Sequence, residues 1–238
     1  MRHLCKQELH YSFDMSTPSR QSAAAARRKA REQQILAATR QLFDESGVRD
    51  AQIDDIAKAV GINRAIIYRH FSGKEELFAL AVEGYLEELK QRLETAAAEA
   101  TGTPSDRLRA VVAAFVDFGL EYPAFVDCAQ TLMRRPGPEL LEQVSEGALF
   151  RLGRAISACL RTLKETLDAG IEAGDFKDQD SVLAANYMYA SGLGALQLAR
   201  IGMLVKESSP GIPAISPISG DQVKAFLTST AVALATDR

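Results

Sequence analysis

Apolar residues recur at alternating three- and four-residue steps along almost the whole chain, which is the period of one face of an α-helix. Ile35, Leu36, Thr39, Leu42 and Phe43 form one such stripe and predict a helix over residues 30–45. Gly47, behind Ser46, is placed to end it. Residues 52–74 predict two short helices joined by a tight turn, and Ser72-x-x-Glu75 predicts a capping box that starts a further helix near Gly73. That helix carries Leu77, Leu80, Ala81, Tyr85, Leu89 and Leu93 to about Ala100. After the break TGTP the helical period returns over 106–121 and 124–133, then over 139–173 as one helix or as two parted near Gly147. Residues 180–205 and 221–235 predict the last two helices, with a Pro/Gly/Ser loop over 208–220 between them. No stretch alternates as a strand does, no repeat is visible and no glycine-rich phosphate loop is present. The expected fold is all-α: a tail over 1–26 without a fold of its own, a three-helix head over 27–78, and a helical body over 79–238.

The head holds the most informative pattern. Ile53, Ile56, Ala57 and Val60 share one helical face. Gly61 breaks the period where a left-handed backbone costs little, Ile62 plugs the corner, and Asn63 caps the next helix. Ile67 and Phe71 would face inward, leaving Arg64, Ala65, Ile66, Tyr68 and Arg69 outward. A helix-turn-helix presents the N-terminal end of its second helix to base edges in the major groove, and that end needs long donors and small residues. Arg64 is the expected base reader, bidentate to guanine O6 and N7, a contact worth about 1–3 kcal/mol of discrimination. Ala65 and Ile66 are suited to a thymine methyl. A plain helical hairpin accounts for the apolar positions, but not for Tyr68, Arg69, His70 and Lys74 crowding the exposed side.

The run IDDIAKAVGINRAIIYRHFSGKEEL, preceded by LFDESG, resembles the DNA-binding domain of the TetR family of bacterial transcription regulators. The pattern I-A-x-x-x-G-[IV]-x-x-x-x-[IL]-Y-x-H-F-x-x-K-E-x-L is matched from Ile56 to Leu77. The resemblance implies that Tyr68, His70 and Lys74 hold the phosphate backbone, with Arg69 on phosphate or base; such contacts position the head without reading sequence. Gln52 departs from the pattern. Many relatives have Thr or Ser there, capping the helix and touching phosphate, and Gln52 is a poorer cap. The resemblance further implies an all-helical body that binds a small effector and dimerises through two C-terminal helices. The helix after Gly73 would tie the head to that body.

Composition changes this picture little. Apolar residues make up 47% and charged residues 25%, which supports a real core. The net charge of −3 does not advertise a nucleic-acid binder, but it is unevenly spread. Residues 20–78 hold 11 Lys and Arg against 8 Asp and Glu, and the rest of the chain to the end holds 15 against 21. Arg27, Arg28, Lys29 and Arg31 are open to two readings, a solvated tail or an arm on phosphate or in the minor groove. Asp54 and Asp55 are expected to face away from DNA or to pair with Arg49 or Lys58. No apolar run reaches membrane-spanning length and residues 1–14 lack a signal-peptide pattern. Cys5, Cys128 and Cys159 are odd in number and lack metal spacing, which fits a reducing cytoplasm. No metal or cofactor is expected.

In the body, Phe115, Phe118, Tyr122, Phe125, Met133, Tyr187, Met188 and Tyr189, with Gln130, Asn186, Asp127 and Thr131 as polar groups, are candidates for an apolar ligand pocket or for plain core. Ser191, Ala195 and Ala199 recur every four residues, and Leu160, Leu163 and Leu167 lie on a heptad-like stripe. Together they suit a four-helix homodimer interface, or close packing within one chain. With the resemblance, these patterns imply a homodimeric repressor on double-stranded, palindromic operator DNA, released by a small, largely apolar effector, with activation left open. A ligand-binding helical dimer without DNA readout is the alternative. An enzyme is disfavoured: His3, His10 and His70 are the only histidines, two in the tail and one on the DNA face, and no nucleophile motif accompanies them.

Overall fold

The computed structural model describes residues 20–134 and 137–236. Residues 1–19 of the expected tail, with His3, Cys5 and His10, lie outside it. Helix α1 spans Arg20–Ser46, so residues 20–26, expected to be tail, are helical. It is followed by α2 (Ile53–Val60), α3 (Arg64–His70) and α4 (Lys74–Glu99). The body adds α5 (Pro104–Glu121), α6 (Pro123–Met133), α7 (Gly137–Gln143), α8 (Glu146–Glu172), α9 (Ser181–Ile201) and α10 (Gly220–Thr236). The break expected near Gly147 falls two residues earlier, where Ser145 caps α8 by accepting from the Ala148 N–H. Thr103 and Asp106 form the capping box of α5, with Pro104 at its first position.

Two expectations fail at helix ends. The capping box drawn from Ser72 and Glu75 does not form: Gly73 is the N-cap of α4 without a side-chain bond. The Ser72 N–H and hydroxyl both donate to Glu76 instead. The helix expected to run to Val205 ends at Ile201, because Gly202 adopts φ 70° and closes it. Nor is the next segment a loop. Strands β1 (Met203–Ser209) and β2 (Ile212–Pro217) pair antiparallel, turning at Pro210-Gly211 with Gly211 at φ 78°. Met203, Val205, Pro213, Ile215 and Pro217 do alternate, but prolines and serines mask the period, and Pro is tolerated in strands only at an edge. The fold is otherwise all-α, as expected.

The head closes around Ile35, Phe43, Ile56, Ile67 and Phe71, all at most 2% exposed. Phe43 meets Phe78 of α4 edge to face at 4.7 Å, so the first turns of α4 belong to the head core. The rest of α4 lies along α5 and α8, and α10 packs on α5 and α9. One helix of 26 residues, about 39 Å at 1.5 Å per residue, therefore joins head to body.

Candidate nucleic-acid interface and ligand cavity

The turn between α2 and α3 is built by short-range bonds. Gly61 sits at φ 71° and its N–H reaches the Ala57 and Lys58 carbonyls, while the Ile62 N–H also reaches Ala57. The Asn63 side chain accepts from the Ala65 N–H at 2.9 Å. With Ile67 buried, the opposite face of α3 is fixed outward: Arg64, Ala65, Tyr68 and Arg69 are exposed and Ile66 is half-buried. Gln52 is exposed and makes no capping bond to α2, as its chemistry foretold. Lys74 opens α4 with its Nζ 4.9 Å from the Phe78 ring. His70 is half-buried, and its buried Nδ1 has no partner among the described residues.

Arg64 is not idle in the free head. Its guanidinium lies 3.5 Å from Asp54 and 5.8 Å from the Tyr68 ring. Asp54 thus pairs with the expected base reader rather than with Arg49 or Lys58, because the turn folds the start of α2 beside the start of α3. Both side chains are more than half exposed, so the pair contributes little to stability.

The body encloses an apolar cavity of about 70 Å³. Its walls are Leu89 and Leu93 of α4, Val111, Val112 and Phe115 of α5, Cys159, Leu160 and Leu163 of α8, Tyr187, Met188, Tyr189, Ser191 and Gly192 of α9, and Leu227, Thr230, Ala231 and Leu234 of α10. No charged side chain lines it. An apolar cavity of about 150 Å³ takes benzene, so a ring-sized guest here requires the walls to give. Of the aromatics and polar groups expected to line a pocket, Phe115 and Tyr187 do, as do Met188 and Tyr189. Phe118, Tyr122 and Phe125 pack instead with Tyr85 in an aromatic core. Gln130 donates to the Leu193 carbonyl, Asn186 to the carbonyl of Val182 in its own helix, and Met133 is exposed. Spacing could not separate these outcomes, since core and cavity wall share the same inward period.

The α8 stripe is likewise resolved inward. Leu163 and Leu167 are buried, α8 lies along α4, and Leu160 is half-buried at the cavity, so these three are not free to meet a second chain. On α9, Ser191 is exposed and Ala195 and Ala199 are half-buried.

Two polar clasps, unforeseen in the sequence, tie α8 to the head. Glu76 of α4, 7% exposed, accepts from the Ser145 hydroxyl at 2.6 Å and from Ser72 at the end of the α3 turn. Burial pushes the Glu76 carboxyl up, but bonds from Ser145 and Ser72 and the Arg151 charge outweigh it and hold it below its ordinary value. Arg151 of α8 binds Glu83 of α4 and Glu32 of α1, each at 2.5 Å. A third cluster seats Arg40 of α1 between the Tyr85 and Tyr122 rings and against Glu88. Burial pushes the Cys128 and Cys159 thiols up to about 12, opposite to the lowered values of reactive thiols.

Residues 35–81 match the family model of bacterial regulatory proteins, tetR family. The chain is 38% identical over 82 residues to the regulator BetI of Stenotrophomonas maltophilia, covering 34% of this chain and 42% of that protein. It is 34% identical over 91 residues to the transcriptional activator FasR of Mycolicibacterium smegmatis, covering 38% and 41%. The matches thus span about two-fifths of the length of these curated relatives. The fold extends further: the structure of RolR in complex with resorcinol superposes with a TM-score of 0.61 over 90% of this chain and 91% of that one, at 18% identity. The head, residues 35–81, is thus that of the TetR family of bacterial regulatory proteins, and the fold of the chain as a whole is similar to that of RolR.

Proposed function

We propose that the chain is a sequence-specific, DNA-binding transcriptional regulator, acting as a cytoplasmic homodimer that leaves a palindromic operator when a small, largely apolar ligand enters the body. The observation that carries this reading is the capped α3 helix, anchored through Ile67 and offering Arg64, Ala65, Tyr68 and Arg69 on one open face. Arg64 reads a base, Ala65 and Ile66 offer apolar contact, and Tyr68, Arg69, His70, Lys74 and Gln52 lie where phosphates would pass. A second head on the same dimer makes the second half-site contact intramolecular. No described helix is long and apolar enough to cross a membrane.

Release is explained by the paths of α4 and α8. Leu89 and Leu93 of α4 line the cavity, and the first turns of the same helix join the head core, where Phe78 meets Phe43 of α1. Cys159, Leu160 and Leu163 of α8 line it too, and the N-terminal cap of α8 holds Glu76. A guest that parts these helices is felt at the heads through both. The names of relatives include an activator, and the sign of regulation is read from the position of the site at its promoter.

The test is selection of DNA sites from a random pool at near-physiological salt. Enrichment of a palindrome, lost with Arg64→Ala, is the expected result. A pool that stays random with wild-type protein sinks the DNA reading.

A further inference from the structure

A second cavity lies where the head meets the body. It measures about 260 Å³ and shares no wall residue with the body cavity. Val48, from the link between α1 and α2, and Phe78 and Val82 of α4 form one side. Leu132 of α6 and Val144, just before α8, form the other. Val82 and Val144 are buried, while Val48, Phe78 and Leu132 are half-buried, so apolar surface is left for a guest to cover. An apolar cavity of about 150 Å³ takes benzene, so this cleft has room for two fused rings.

Charge sets the cleft apart from the body cavity. Arg49 and Lys74 stand on its wall, and neither has an ion-pair partner among the described residues. The Lys74 ammonium is held 4.9 Å from the Phe78 ring, which meets Phe43 of α1. Glu75 is the carboxylate on this wall, and its Oε2 is turned back toward Gly73 at the start of α4. Other cations along α4 are spent: Arg40 is paired with Glu88, Arg92 with Glu121 and Arg151 with Glu83.

Two unspent cations beside open apolar walls match one class of guest, an acid with an apolar body. A neutral guest would leave the cations unmet, and a hydrophilic anion would leave the walls wet. Arginine offers a carboxylate a bidentate fork and lysine a point charge. We propose that this cleft is a second ligand site, for a small apolar carboxylate. Its acid group lies between Arg49 and Lys74, and its apolar part lies against Phe78, Val82, Leu132 and Val144. Lys74 then serves either the acid or a DNA phosphate, so guest and DNA each weaken the other's binding by the same factor. That opposition rests on the DNA-binding reading, whereas the site itself does not.

The probe is 2-naphthoate, with the neutral 2-naphthamide beside it, titrated by calorimetry into the full chain without DNA. The expected result is binding of the acid and binding of the amide at least about tenfold weaker, the loss of one bond to a charged group. Arg49→Gln should weaken the acid by a similar factor. Thr131→Trp, which adds bulk from an exposed wall position, should abolish binding in a protein that stays folded by circular dichroism. With the selected DNA site, saturating 2-naphthoate should lower the affinity of wild type and leave that of Thr131→Trp unchanged. No binding of 2-naphthoate at millimolar concentration overturns the site. Equal binding of acid and amide, or an Arg49→Gln protein that binds as wild type does, overturns the recognition of charge and the inference with it. Binding lost in Val112→Phe but kept in Thr131→Trp places the guest in the body cavity and overturns the inference as well. Binding in the cleft that leaves DNA affinity unchanged overturns the opposition through Lys74. A DNA pool that stays random sinks the DNA reading, and calorimetry still decides the site.

Discussion

At the residue scale, Arg64 and Glu76 do opposite kinds of work. Arg64 is exposed, and its weak pair with Asp54 costs little to break, so on the proposed reading it exchanges a carboxylate for a guanine edge. Arg64→Ala is expected to weaken binding to a selected site by about 1–3 kcal/mol, and to relax preference at one base position, measured by fluorescence anisotropy. Asp54→Asn should act the other way, raising DNA affinity most at low salt because it removes a negative charge beside the reading residue. Its effect on the urea midpoint should be small. Glu76 is buried and triply held, and its depressed pKa carries a pH signature. The stability it contributes is fully present above the ordinary carboxylate pKa, near 4.3, and is lost as pH falls through its lower folded value. Urea midpoints of wild type and Glu76→Gln should therefore differ at pH 7 and converge in acid. A constant difference across that range would count against an ionised Glu76 in the clasp.

At the element scale, local chemistry sets where helices stop, and this is where the sequence was most and least legible. Gly61 and Asn63 could be read because a left-handed turn and an N-cap bond involve residues at most five apart. Asn63→Ala should cost about 1 kcal/mol of head stability by thermal melting. The β1–β2 hairpin was not legible, since its pairing, Val205 with Ile215 for instance, is between residues that look like loop one by one. Gly211 is the turn residue at positive φ, so Gly211→Val should impose about 1–2 kcal/mol of backbone strain. Hydrogen exchange should then show β1 and β2 losing amide protection while α9 keeps it. The row of Ser191, Ala195 and Ala199 on α9 was visible, but not that Gly192 beside it turns inward, where an added Cβ would lie 2.7 Å from the Phe115 ring, while Gly194 faces open space.

At the scale of the whole molecule, function depends on distance. Head and cavity are joined by α4 and α8, so filling the cavity should imitate a ligand. Val112→Phe overpacks a cavity wall, at a typical cost of about 1–3 kcal/mol, and should weaken operator binding while Arg64 stays untouched. Anisotropy with the selected site measures it; unchanged affinity in a folded variant would separate cavity from head. The helix-turn-helix, its inward and outward faces and the helices of the body were determined by the sequence alone, because period, turn and cap are near-neighbour physics. The tertiary structure decided the rest. A helical period states that a face is buried, not what buries it, so only packing could send Leu163 and Leu167 inward against α4, Phe118 into solid core, and Tyr187 to the cavity wall. The Ser145–Glu76 clasp joins positions 69 residues apart, a separation at which sequence carries no spacing signal and the fold alone brings the two oxygens together.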